Sequence, residues 1–530
     1  MRTLTILGHL AVDSLDPGRT YYMPGWQIAY ATQRPLYSFS SAEQTLVPVP
    51  DLAAGPPEVA DDRRTVTVRL RRGVRFGPPV GREVAAGDVE YALERFFGAS
   101  VDGRYAHYFE ALEAVETPDD HTLVFHLSRP AAAAFAAALA LPATAPVPPE
   151  YARPLDEERP SAYERHVVAT GPYMLAANGG GEVSGYSPGR RLELVRNPSW
   201  DAATDYRPAA VDRVVFEGTD NTAEVAERVL RGSDLVLGEN PPIDVARAVV
   251  GTDKGLYEQA AAATVRYIPL NTTVPPFDDV DVRRAVVAGF DRVRLRDARG
   301  GEFVGPVATH FLPPGFPGHD EAGGPAGPEL DFLREPRGDM ELAAEYMRRA
   351  GHPSGRYSST EPIVVLSSTD GPARAQADAV GDELEKLGFR VDRVVVPNND
   401  MYPDYCAVPG RQLDGRSIAV YGSAPNWQPE IIDPSAMLEP LFAGWAIRPR
   451  GNNNFAQLAD PRIDAAMRRA GELEGEPAIR AWADVDRLIT AAAPGVPFVW
   501  ERTTHLKSRN VRGVMSRYTS LWDVTHTYLD

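Results

Sequence analysis

Ile363-Val364-Val365-Leu366, then the span Ala373 to Leu387, then Arg390-Val391-Asp392-Arg393-Val394-Val395-Val396 form the stretch that decides the fold. The outer pieces are short apolar runs rich in β-branched residues, and the middle piece has helical length, so together they read as a βαβ unit. Working outward, Met340 to Ala350 is a clear helix that stops at Gly351, with Pro353 beyond it. A Gly/Pro-dense connection, Gly315 to Pro328, precedes that helix. Further back, Val280 to Asp291 predicts a helix and Val265 to Asn271 a strand. Toward the C-terminus, helices over Pro461 to Ala470 and Ala478 to Ala491 lead into Val496-Pro497-Phe498-Val499-Trp500 and a strand-rich tail.

The N-terminal half has a different texture. Thr65-Val66-Thr67-Val68-Arg69-Leu70 and Thr122-Leu123-Val124-Phe125-His126-Leu127 alternate cleanly and predict half-buried strands. Between them, Ala86 to Phe97 predicts a helix with Val89, Ala92, Leu93 and Phe96 on one face and Asp88 near its positive end. Leu4 and Ile6 mark an opening strand, Trp26, Ile28 and Ala29 a short helix. Arg191 to Arg196 and Val211 to Glu217 are further strands, followed by a helix over Ala223 to Leu230. Helix–strand units mixed with hairpins, and no internal repeat, predict an α/β chain of several lobes. The length of 530 residues suggests about three structural units.

Composition excludes several classes of function. A net charge of -18 with no Lys/Arg-dense stripe argues against nucleic acid and against anionic membrane surfaces as partners. Nothing approaches the roughly 18 uninterrupted apolar residues of a membrane span. The single cysteine, Cys406, rules out an intramolecular disulfide, and in its loop-like stretch Tyr402 to Cys406 it reads as an inert thiol. His107, His121 and His126 share a region without the spacing of a metal pair, so neither a metal nor another cofactor is expected. Gly185-Tyr186-Ser187-Pro188-Gly189 matches the hydrolase elbow in letters only, because it leads into another strand and reads as a hairpin. Gly179-Gly180-Gly181 lacks the following Lys and helix of a phosphate loop. No catalytic residues are assigned, and binding is favoured over catalysis.

Five segments in order carry a resemblance. They are Leu70-Arg71-Arg72-Gly73-Val74-Arg75-Phe76 with the helix Ala86 to Arg95; Ala169-Thr170-Gly171-Pro172-Tyr173; and Leu192 to Trp200 with its Asn197-Pro198. The fourth runs from Leu270-Asn271-Thr272 through Pro275-Pro276-Phe277-Asp278-Asp279 and Val282-Arg283-Arg284-Ala285 to Asp291-Arg292. The fifth is Ala493-Pro494-Gly495-Val496-Pro497-Phe498-Val499-Trp500. Together they resemble the extracellular solute-binding proteins of the peptide- and nickel-binding family, family 5. The resemblance implies a type II periplasmic-binding-protein-like fold with two lobes, an inserted third domain and a ligand cleft between the lobes. Lobe I would comprise residues 1–45, 167–268 and 489–530, the inserted domain 46–166, and lobe II 269–488, with hinge closure around the ligand. By themselves, Asp278, Asp279, Arg283 and Arg284 read as groups that cap and charge their own helix.

Peptide-binding members commonly carry an acid in the second lobe that meets the ligand's α-ammonium. The matching stretch here is Tyr421-Gly422-Ser423-Ala424-Pro425-Asn426-Trp427-Gln428-Pro429, with Asn426 at the acid's place and Asp433 close behind. An amide supplies an acceptor without charge. Aromatic candidates for the ligand site are Tyr21, Tyr22 and Trp26 on the first lobe and Tyr421, Trp427 and Trp445 on the second, with Asn271 at a strand end. The resemblance implies a monomeric protein that hands a peptide-like or other small solute to an ABC permease outside the cytoplasm, if a leader was removed. If Met1 is the native start, the alternative is a cytoplasmic carrier or biosynthetic enzyme using the same cleft.

Overall fold

The computed structural model describes residues 1–530 apart from residues 44–45, 102, 104, 220, 370, 398–399 and 424–425, and apart from the side chain of residue 262. The chain divides into two compact units, Met1–Ala260 with Thr503–Asp530, and Ala261–Arg502. The two chain passages fall inside strands Tyr257–Pro269 and Gly495–Leu506, which pair with each other. The sequence alone places these passages at 268/269 and 488/489.

The first unit is built on a mixed sheet. Thr3–Gly8 lies centrally, parallel to Leu235–Leu237 on one side and to Arg213–Gly218 on the other. Arg191–Arg196 and Tyr173–Leu175 continue the sheet antiparallel. Alternation decides which side chains face inward: Leu4, Ile6, Leu192, Leu194, Val214 and Phe216 share one core with Tyr173 and Trp522. The expected hairpin at Ser187 is present, with Tyr186–Ser187 pairing against Arg191 and Leu192 and Gly189 at φ 69° in the turn.

A second, wholly antiparallel sheet runs Glu58–Val59, Thr65–Arg69, Thr122–Leu127, Leu112–Asp119. The helix Ala86–Phe96 buries Val89, Ala92, Leu93 and Phe96 as its spacing dictates. Its Asp88 carboxylate accepts from the Ala85 amide at 2.8 Å and from Arg82 at 2.6 and 2.8 Å, closing the first turn.

The same unit encloses a charge-balanced clamp. Asp51 accepts from Arg34 Nε at 2.7 Å and from Arg207 Nη2 at 2.6 Å, and Asp205 accepts from Arg207 Nε at 2.9 Å. Trp200 Nε1 donates to Asp205 at 2.8 Å. All four charged side chains are at most 2% exposed. Burial opposes ionisation of Asp205, but Arg207 and Arg34 outweigh it and hold its carboxyl down at about 2.

In the second unit, Ile363–Ser368 is flanked in parallel by Val391–Val396 and Arg416–Tyr421, with Gln412–Leu413 antiparallel at the edge. The helix Gly371–Lys386 makes the crossover, so the βαβ reading is realised. Val364, Val365 and Leu366 are all buried, as a parallel strand covered on both faces requires. Helices Val280–Gly289 and Met340–Arg349 share the main core with this sheet.

Asp279 caps the first of those helices by accepting from the Asp281 amide at 2.7 Å. Its Arg284 pairs with Asp281 one turn back at 3.5 Å, and both arginines also reach beyond the helix. Arg283 donates to Ala492 O at 2.9 and 3.1 Å and Arg284 to Ala491 O at 2.9 and 3.1 Å, satisfying orphan carbonyls at the end of helix Gly475–Ala492. Met401–Cys406, expected as a loop, is a wide helical turn that buries Cys406 beside Val364, Leu366 and Tyr421. Burial pushes its thiol well above the usual range.

Candidate functional site

Four separate segments of the second unit converge on one carboxylate. Strand Tyr257–Pro269 presents Arg266, strand Gly495–Leu506 presents Glu501, and helix Arg292–Arg299 ends at Arg299. The loop after Arg416–Tyr421 brings Asn426 and Trp427, and the Trp427 backbone bridges antiparallel to Val265. That loop starts from a tight approach: a Cβ on Gly422 would lie 2.9 Å from Val365 Cγ1 and 3.0 Å from Ala377 Cβ. Ser423 Oγ then ties it to Ala373 O at 2.7 Å.

Arg266 grips Glu501 through two parallel hydrogen bonds, Nε to Oε1 at 2.8 Å and Nη2 to Oε2 at 2.9 Å. This fork geometry is the strong form of a guanidinium–carboxylate pair. Asn426 Nδ2 donates to Oε2 at 2.9 Å, and Arg299 Nε lies 3.6 Å from Oε1. Arg299 is steadied from behind by Gln376 Oε1 at 3.2 Å. Burial opposes the charge on Glu501, but Arg266 foremost, then Arg299 and Asn426, outweigh it and hold its carboxyl below the ordinary range. The Arg266, Arg299 and Glu501 side chains are 11, 17 and 17% exposed, so the cluster touches solvent.

The residues proposed from sequence fall into distinct settings. Asn426 and Trp427 are half-buried and adjoin this cluster; the Trp427 indole N–H donates to Ala436 O at 3.0 Å. Ala424 and Pro425 of the same stretch lie outside the described residues. Asp433 is no substitute acid, since it caps helix Pro434–Phe442 by accepting from the Ser435 amide at 2.9 Å. Asn271 is buried and spends its amide on Ile418 O and on the Thr273 amide and hydroxyl. Tyr421 is buried in the apolar cluster with Ile418 and Phe455. Trp445 is 42% exposed, with the Arg468 guanidinium 4.6 Å from its ring centre.

In the first unit, Tyr21 and Tyr22 sit side by side, their backbone amides held by the Asp13 carboxylate at 2.8 and 3.3 Å. Tyr22 is half exposed. Trp26 is fully buried, donates to Thr20 O at 3.0 Å and stacks on Tyr518 at 5.9 Å, so its side chain belongs to the core. Glu501, Arg266 and Arg299 were not among the residues expected from sequence. A carboxylate directly after the apolar run Val496 to Trp500 was the available signal.

The description "Bacterial extracellular solute-binding proteins, family 5 Middle" matches residues 47–448. The chain belongs to that family. Its relatives include heme-binding protein A of Haemophilus influenzae, 25% identical over 83% of this chain and 77% of that protein. Di/tripeptide-binding protein 2 of Pseudomonas aeruginosa is 24% identical over 100% of this chain and 95% of that one. A solved "Clavulanic acid biosynthesis oligopeptide binding protein 2" superposes with TM-score 0.82 and 29% identity, covering 100% of this chain and 96% of that chain. The periplasmic-binding-protein-like α/β fold expected from sequence is therefore the fold of this family member. Among the described residues, no helix is long and apolar enough to cross a membrane, and no group of three or more His, Cys, Asp or Glu could hold a metal ion.

Proposed function

We propose that this family 5 protein captures a peptide-like or other small organic solute outside the cytoplasm and delivers it to an ABC permease. The observation that carries this reading is the family match over residues 47–448. The names of the relatives, which bind di- and tripeptides or heme, indicate the size of solute. Asn426 and Trp427 are the proposed ligand-facing residues of the second unit, and Tyr21 and Tyr22 those of the first. Trp427 suits the role because its N–H is already satisfied and its position is fixed, which leaves apolar ring surface to cover a solute at little entropic cost. Residues 46–166 are proposed as the inserted domain, supported by their own antiparallel sheet.

Native mass spectrometry of freshly purified protein, followed by calorimetric titration with a di- and tripeptide library, tests the reading. A co-purified solute or micromolar binding supports it. Trp427→Ala should then weaken binding about tenfold or more, the loss expected on truncating an aromatic anchor. Failure of every solute to bind would sink the proposal. The name of the 29% identical solved relative, a clavulanic acid biosynthesis oligopeptide-binding protein, favours a second reading as a carrier for a biosynthetic solute. Cell fractionation that recovers the protein with the cytoplasm would decide for it.

A further inference from the structure

In the first unit, the loop that carries Tyr21 and Tyr22 is fastened to residues of the segment 46–166. Its turn, Asp16-Pro17-Gly18, closes locally: Asp16 O accepts from the Arg19 and Thr20 amides at 2.9 Å, and Asp16 Oδ1 from the Gly18 amide at 2.9 Å. The Asp16 carboxylate then takes both arms of Arg95, on helix Ala86–Phe96, at 2.9 and 2.8 Å. Arg95 also turns Nε and Nη2 to Asp156, at 3.0 and 2.8 Å. A planar fork serves two carboxylates in this way where a point charge could not. Tyr105 Oη donates to Pro17 O at 2.9 Å and fastens the same turn. The Arg95 and Asp16 side chains are 3 and 0% exposed. Burial opposes the charge on Arg95, but Asp16 and Asp156 outweigh it and hold the guanidinium well above the ordinary arginine range.

From that anchor the tyrosines are reached by short links. Thr20 Oγ1 donates to Asp13 Oδ1 at 3.0 Å, and the same carboxylate holds the Tyr21 and Tyr22 amides. Helix Met23–Thr32 starts directly after, and its Pro24 and Gln27 line a recess with Gly8, His9, Leu10 and Gly238. That recess lies at the carboxyl ends of the parallel strands Thr3–Gly8 and Leu235–Leu237, the end at which open α/β sheets receive ligands. Resting on the reading of Tyr21 and Tyr22 as ligand-facing, we propose that Arg95 is a positioning residue for solute binding: it braces the aromatic loop through Asp16 and so gives the inserted domain a part in affinity. Without the brace, the two tyrosines must be ordered at the moment of binding, which weakens it.

The test uses the full chain labelled with 3-fluorotyrosine, with the two resonances assigned through Tyr21→Phe and Tyr22→Phe, and trialanine as the probe solute. Asp16→Asn cuts the link to the loop while leaving Arg95 its Asp156 partner, and Arg95→Lys keeps the charge without the fork. Both should displace the Tyr21 and Tyr22 fluorine resonances and weaken trialanine binding about tenfold by calorimetry, the loss expected when two side chains are ordered on binding. Asp156→Asn leaves the bonds between Arg95 and Asp16 in place and should move the two resonances less. In a Tyr21→Ala/Tyr22→Ala background, Asp16→Asn should weaken binding no further. Unmoved resonances in folded Asp16→Asn and Arg95→Lys protein overturn the inference, as does an equal loss of affinity with and without the tyrosines. If trialanine does not bind the wild-type protein, displaced resonances uphold the brace and unmoved ones overturn it, while the peptide library decides the solute-binding reading separately.

Discussion

Two ion clusters, one in each unit, pair arginines with carboxylates but differ in how completely they are sealed. The Arg34–Asp51–Asp205–Arg207 clamp is charge-balanced and at most 2% exposed, and its carboxylates are gripped by arginines of their own unit. The Arg266–Arg299–Glu501 cluster reaches solvent and includes an amide from a loop. Desolvation explains the contrast. A sealed cluster that is not neutral costs several kcal/mol, so balance is compulsory there. A cluster at the solvent edge keeps part of its hydration, so its charges are less costly to disturb. Exposure therefore separates a sealed group that holds the fold from one that water can reach.

The largest effect should come from Asp51→Asn, which leaves Arg34 and Arg207 in the interior with Asp205 as their one remaining carboxylate in the clamp. We expect a loss of about 3–5 kcal/mol in unfolding free energy, read from urea denaturation. Glu501→Gln should cost less, about 1–3 kcal/mol, because Arg266 and Arg299 retain access to water. If the two variants lose equal stability, the second cluster is as structural as the first and the distinction collapses.

Acid titration sharpens the comparison further. With its carboxyl held at about 2 against an ordinary 3.8, Asp205 contributes stability that is complete above pH 3.8 and disappears as pH falls through 2. That shift corresponds to roughly 2 kcal/mol. The stability gap between wild type and Asp205→Asn should accordingly narrow between pH 4 and pH 2, and a gap that stays constant would deny the clamp its electrostatic role. The smallest effect is reserved for a pair that is neither sealed nor convergent. Arg480 and Glu476 meet at 3.4 Å while 64 and 70% exposed, so Arg480→Ala should shift stability by less than about 0.5 kcal/mol in the same denaturation assay.

What could be read in advance followed from local pattern. The strands at Thr65, Thr122 and Arg191 and the helices at Ala86, Val280 and Met340 all lie within a few residues of where periodicity put them. The strand ending at Pro269 is longer than expected, starting at Tyr257, because Ala260 to Ala263 carries no alternation to mark it. The illegible part is pairing at a distance. Arg266 and Glu501 are 235 positions apart, Asn426 and Glu501 75, and no local signal joins them. Arg283 and Arg284 show the same limit: Arg284 does pair with Asp281 on its own helix, but tertiary structure also delivers both to carbonyls some 208 residues later, which spacing does not foretell. Trp26 illustrates the reverse problem, since composition cannot tell a buried aromatic from one that faces a ligand.

The position of Cys406 has a practical corollary. The chain has one thiol, and it is sealed in an apolar cluster of the second unit with its deprotonation suppressed. The native surface is thereby silent toward maleimide and iodoacetamide reagents. A cysteine introduced at Tyr22 or Trp445 could carry a fluorophore or spin probe without background labelling, while modification of Cys406 itself would report opening of its own unit.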